Sequence, residues 1–282
     1  MEQKKKQFWK YFRRNRLAVV GLVMVVIIFL IAILAAVLSP YAPDKTDVSL
    51  KLKPPSSPNY LGTDQLGRDI LSRMLYGSRI SLTVGFIAVG ISIFIGILIG
   101  ATAGFYGGWI DSLLMRFVDT MLCFPSFFLI LTIIALLGPS IYNIMIVIGI
   151  TSWEGTARFV RAEFLSLRER DYVQAAKALG VKDRRIIFRH ILPNALAPVF
   201  VTATLGVASA ILIEASLSFL GFGVQPPAPS WGNILTEGRT YIFDAWWLTV
   251  FPGLAILIAV LSFNLVGDGL RDALDPRLRG RR

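Results

Sequence analysis

The chain has 282 residues, 55% of them hydrophobic and only 17% charged, with a mean hydropathy of +0.63 and a formal net charge of +11. A soluble domain carries about 25% charged residues. This composition, together with several apolar runs of about 20 residues, excludes one and indicates an all-α, polytopic integral membrane protein. The positive balance does not indicate nucleic acid, because the aromatics lie in the apolar runs and the basic residues lie between them.

In chain order, residues 1–16 hold seven Lys/Arg, and residues 17–38, LAVVGLVMVVIIFLIAILAAVL, carry no charge. As a helix that run is roughly 33 Å long, enough to cross a bilayer. A cleaved signal peptide has a shorter apolar core, so 1–38 reads as a cytoplasmic tail plus a retained anchor helix. Residues 39–79, rich in proline and charge, read as an extracytoplasmic connector. A short amphipathic helix near its end sets Ile70, Leu71, Met74 and Leu75 on one face. A core over 80–270 supplies five more predicted spans, at 80–103, 117–137, 141–157, 195–217 and 245–267. Pro125, Pro198 and Pro252 fall in these runs, as packed membrane helices tolerate. Residues 271–282 form a second tail.

Six spans put both termini on one side. The proposed inner segments hold most of the basic residues: seven in the N-tail, Arg116, nine in 158–190 and five in the C-tail, against six in 39–79 plus Arg239 outside. That asymmetry predicts an N-in, C-in, multi-pass arrangement.

Within the spans, Gly96, Gly100 and Gly104 recur every four residues and predict a face on which another helix packs closely. The single cysteine, Cys123, lies in an apolar run and reads as a buried inert thiol. The single histidine, His190, has no partner for a metal site and reads as a loop residue. Asp119, Glu154, Glu214 and Asp268 all fall near span ends, which argues against an ATPase-independent secondary transporter with ionisable groups at depth. Glu214 either lines the outer mouth of a path or pairs structurally. Asp119 and Asp268 read as anchors of span ends. Thr132, Asn143, Thr151, Thr202 and Thr204 each face either a polar path or a neighbouring helix. In 221–244, Ser230 caps a short helix that either covers the outer mouth or rests at the interface with Trp231 as its anchor.

Residues 158–193 form the longest inner loop. DYVQAAKAL (171–179) has strong helix formers, Gly180 follows as a C-cap, Asp183 caps RRIIFRHIL, and Pro193 ends it. The result is helix, glycine turn, helix. Ala175, Ala176 and Leu179 give the first helix a small apolar face that suits a partner's groove. A lipid-bound surface hairpin is the alternative.

The stretch QAAKALG, ten residues, then ILPNA (174–195) resembles the EAA loop of ABC importer permeases, with Gln174 at the position of the pattern's glutamate. YLGTDQLGRDILSRMLYGSRISL (60–82), SFLGFGVQPPAPSWG (218–232) and GDGLRDALDPRLRG (267–280) are similar to the C-type permease of dipeptide, oligopeptide and nickel importers. That resemblance implies a type I importer fold in a prokaryotic inner membrane. It implies a second, homologous permease, two ATPase subunits that hold ATP and Mg, and an extracytoplasmic solute-binding protein. Gln174, Ala175, Ala176, Leu179, Gly180, Ile191, Leu192 and Pro193 would then form the coupling loop. This chain itself would carry no cofactor and no ATPase activity, in keeping with its lack of a GxxxxGK[ST] motif. Peptides are the expected solutes, with nickel complexes and glutathione-like solutes as alternatives.

Overall fold

The computed structural model describes Trp9 and residues 11–274; residues 1–8, Lys10 and 275–282, and with them most of the two predicted tails, lie outside the described residues. Helix α1 (Arg16–Leu38) is capped by Asn15, whose side chain accepts from the Ala18 amide and donates to Asp272 Oδ2 at 3.1 Å. The connector that follows is built of turns, with one isolated bridge between Thr63 and Asp69.

Helix α2 (Ile70–Tyr106) is 37 residues long and capped by Asp69. The short amphipathic helix expected before Ile80 and the span expected after it are therefore one element. Ile70, Ser72, Arg73 and Leu75 are buried, so the first turns of this helix already pack inside the protein and need no separate surface.

The straight span expected at 117–137 is broken. Helix α3 (Gly108–Leu122) and α4 (Ser126–Leu137) meet at 80°. Pro125 lacks an N–H and its ring disfavours helical geometry in Phe124, which stops α3 where the sequence reading continued it. Cys123 sits at this break and is exposed rather than buried, its Sγ donating to the Asp119 carbonyl at 3.3 Å.

Helix α5 (Ile141–Ile150) is about 15 Å long, too short to cross alone. After Thr151–Trp153 the chain continues as α6 (Glu154–Arg168), alongside α2 and in the same direction. The glycine stripe sets that register. A Cβ on Gly96 would stand 2.6 Å from Thr156 Cβ, and one on Gly104 2.6 Å from Phe164 Cβ; one on Gly100 would meet the Ala157 carbonyl and Val160. The helix that the stripe receives is α6.

Helix α7 (Asp171–Ala178) leads to α8 (Asp183–Phe219), then come α9 (Trp231–Gly238) and α10 (Trp247–Leu274). Pro193 does not end a helix. Residues Ile186–Ile191 form a widened π turn immediately before it, and α8 runs straight on. Such a turn absorbs the proline's ring and missing donor. His190 thus lies in a helix, not a loop.

Among the described residues four helices, α1, α2, α8 and α10, are long and apolar enough to cross a membrane, and the bent α3–α4 pair makes a fifth when taken as one broken span. Val84, Ile130, Ile144, Ile211 and Phe263 centre the core where these elements meet. Gly269 packs on Ala18 and Phe12, and Leu270 and Leu274 line a cavity with Pro193, so the start of α1, the end of α10 and the α7–α8 hairpin share one face of the molecule.

Candidate functional site

The hairpin is held from beneath by its own chain. Val173 and Ala176 of α7 are buried with Ala101 and Phe105 of α2, Phe164 of α6 and Ile191 of α8. Above them α7 ends in a paired C-cap. The Gly180 amide donates to the Lys177 carbonyl at 2.9 Å, and the Val181 amide to the Ala176 carbonyl at 3.1 Å. This motif needs a left-handed residue at its turn, and Gly180 has φ +72°. The expected helix, glycine turn and helix are present.

The face assignment needs correction. Ala175 and Leu179 are exposed, Leu179 at 83%, but Ala176 is only 8% exposed and points into the chain. At 100° per residue α7 divides these positions between two faces, and the buried one is secured by Val173 and Ala176. Gln174 is exposed, and its Nε2 donates to the Arg168 carbonyl at the end of α6 at 3.0 Å. A glutamate could not donate there, so the amide gains a tie in exchange for the charge. Ile191 is fully buried and Leu192 partly so, while Pro193 is exposed. Beyond the tip, Lys182, Arg184, Arg185, Phe188 and Arg189 surround a shallow recess of about 450 Å³. The exposed face is therefore apolar at Leu179 and Phe188 and strongly basic around them. It suits a partner with an acidic-rimmed groove.

Two ion pairs brace the hairpin's root. Arg161 clasps Asp111 with both nitrogens at 2.5 and 2.6 Å, and Arg158 reaches Asp119 at 2.5 Å. Asp119 does not stand at a helix start as expected, because α3 already begins at Gly108; its pair with Arg158 ties α3 to α6 instead. Asp268 is exposed near the C-terminal end of α10.

On the opposite face, Glu214 does not line a mouth. It is fully buried, receiving hydrogen bonds from Ser218 and Ser230 at 2.8 Å and from Ser81 at 3.4 Å. Helices α2, α8 and α9 meet there, and the three hydroxyls supply the carboxyl with hydrogen bonds. Trp231 is likewise buried, with its Nε1 donating to the Met74 carbonyl at 3.2 Å, so it is not an interfacial anchor. Ser230 does cap α9, in a reciprocal pair with Asn233.

The sequence reading missed the neighbouring ionic cluster. Arg73 bonds Asp64 at 2.6 Å and Glu237 at 2.5 Å, and Arg68 bonds the same two carboxylates at 2.6 and 2.8 Å. Its signal was in the charge count. Arg68 and Arg73 are two of the six basic residues in the 39–79 connector that ran against the expected positive-inside trend, and both prove to be buried and paired with carboxylates.

Residues 96–280 match the model of the binding-protein-dependent transport system inner membrane component, and residues 5–55 that of the N-terminal membrane domain of oligopeptide transport permease C. The chain belongs to that inner membrane component family. It is 48% identical over 274 residues to the dipeptide transport system permease protein DppC of Alkalihalophilus pseudofirmus, spanning 97% of this chain and 90% of that protein. It is 47% identical to the protein of the same name in Escherichia coli, spanning 97% of this chain and 93% of that protein. It is also 42% identical to the glutathione transport system permease protein GsiD of Pectobacterium atrosepticum, over 97% and 91% of the two chains. Among solved structures, the inward-facing MetNI methionine ABC transporter superposes with a TM-score of 0.53 at 19% identity, covering 71% of this chain and 95% of that one. That likeness shows the shared fold. The chain is thus a multi-pass permease subunit of an ABC importer, which works with an ATPase and a solute-binding protein.

Proposed function

We propose that this permease serves an ATP-driven importer of dipeptides or short oligopeptides in a prokaryotic inner membrane. It would pair with a second, homologous permease over two ATPase subunits. The observation that carries the substrate is the 44–48% identity to dipeptide permeases across 97% of the chain. The similarity to a glutathione permease at 42% favours glutathione, itself peptide-like, as the second reading ahead of nickel complexes.

In this reading the chain crosses the membrane six times, N-in and C-in, with α3–α4 as a bent third crossing and α5–α6 as a fourth that continues along α2. The face shared by the start of α1, the end of α10 and the basic hairpin supports that sidedness. The exposed face of α7, with Leu179 at its tip and the arginines behind, enters a groove on one ATPase. ATP and Mg bind there, on the partner, and this chain contributes no catalytic group and no cofactor site. The test is uptake of a radiolabelled dipeptide by proteoliposomes containing this chain with the permease and ATPases encoded beside it, supplied with binding protein and ATP. Uptake should require all components and be competed by other short peptides. An ATP-dependent uptake of nickel complex or glutathione that dipeptides do not compete would overturn the peptide reading.

A further inference from the structure

A recess of about 240 Å³ lies between α2, the α5–α6 junction and α8. Ser92, Ser152, Thr156, Thr202 and Ser209 line it, and no charged residue does. Two helices independently give its depth. Ser92 stands at the middle of the apolar run 80–103, and Thr202 and Ser209 straddle the middle of 195–217. The hydroxyls therefore gather near mid-bilayer.

The backbone beside them is also unusual. Between α5 and α6 the chain leaves helical geometry at Thr151–Trp153, and Ser92 Oγ donates to the Ser152 carbonyl at 2.7 Å. Non-helical backbone at membrane depth is tolerated only where it is buried in protein or lines a wet cavity. Transporters place solutes where interrupted helices release backbone groups near the midplane. Here the interruption, the hydroxyls and the depth coincide. Ser209 is exposed at the edge of the recess, turned away from the chain's own core.

We propose that this recess is the chain's share of the translocation path and that it takes the backbone amides of the passing peptide. The proposal rests on the peptide reading above. Ser92 and Thr202 already donate to the Ser152 and Val199 carbonyls, at 2.7 and 2.8 Å, and keep lone pairs that accept from peptide N–H groups. Thr156 and Ser209, further along the same wall, can also donate to peptide C=O groups, since a hydroxyl both donates and accepts whatever the side chains of the peptide. A wall without charge also binds no terminus as an ion pair, so it holds a peptide weakly enough to release it.

The test uses the assembled importer in a Cys123→Ser background, which removes the chain's single cysteine. Ser209→Cys should react with a cationic, water-soluble methanethiosulfonate at least about ten times faster than Leu257→Cys, placed at similar depth on an exposed face of α10. An equal or slower rate would overturn the placement of the path. In a second arm, Thr202→Val keeps side-chain shape and removes a hydroxyl, as does the smaller change Ser92→Ala. Each should lower dipeptide uptake about five- to tenfold, the worth of one hydrogen bond, with the ATPases still co-purifying. Full uptake by both variants would overturn the amide role. If the wild-type importer moves no peptide at all, the substrate reading fails, while the Ser209→Cys rate still decides whether a water-filled path passes the recess.

Discussion

Replacing Arg73 by methionine leaves one guanidinium, Arg68, facing two carboxylates, Asp64 and Glu237. The cavity stays filled, so the change isolates charge. Asp64 and Arg73 are essentially inaccessible, while the Glu237 side chain keeps 17% of its exposure. Breaking a buried pair costs about 3–5 kcal/mol. Here Glu237 retains Arg68 and some solvent, which places the loss near the lower end, about 3 kcal/mol. At about 2 °C per kcal/mol for a chain of this size, the unfolding midpoint should fall by about 6 °C. Tryptophan fluorescence of the detergent-solubilised chain reads this directly, since Trp231 and Trp247 are buried in the same part of the fold. Adding Glu237→Gln to Arg73→Met restores one cation to one anion and should recover at least half of the lost stability. An unchanged midpoint in the single variant, or a double variant less stable than the single one, would refute the cluster's role.

The hairpin gives three further expectations. Leu179→Asp should leave insertion intact and abolish co-purification of the ATPases; their full retention would move the docking face elsewhere. Ala176→Asp acts differently, because it buries a charge among Val173, Phe105 and Phe164. It should raise protease cleavage within 171–193 even without any partner, an effect Ala175→Asp should not share. Gly180→Val forces a branched residue to positive φ, costing at least about 1–2 kcal/mol, whereas Gly180→Asn should be nearly neutral in the same cleavage assay. On the α2–α6 seam, Gly100→Leu meets the Ala157 backbone and should destabilise by about 1–3 kcal/mol or more, lowering the midpoint of the solubilised chain.

What the sequence revealed follows from which forces act locally. Apolar run length, the Gly180 turn and the Ser230 cap are set by neighbours in the chain, and each was legible. The glycine stripe announced a close contact, but its partner, α6, is set by tertiary packing. Faces were harder. Ala176 and Ala175 are the same residue type on the same short helix, and only the floor beneath α7 separates buried from exposed. The sequence leaves Glu214 open between a mouth and a structural pair, because the three hydroxyls that satisfy it come from sites as distant in sequence as Ser81 and Ser230. The break at Pro125 was visible as a proline, but its 80° bend was not.

The length of α2 has a mechanical consequence. At 37 residues it is about 55 Å of unbroken rod. Its first turn carries Arg73 in the ionic cluster, and its last turns floor the hairpin with Ala101 and Phe105. Close packing on α6 stiffens the second half into a double strut. A push on one end of the rod is therefore felt at the other without any intervening relay. Whatever steadies the ionic cluster must bias the hairpin by the same free energy with which the hairpin's partner biases the cluster.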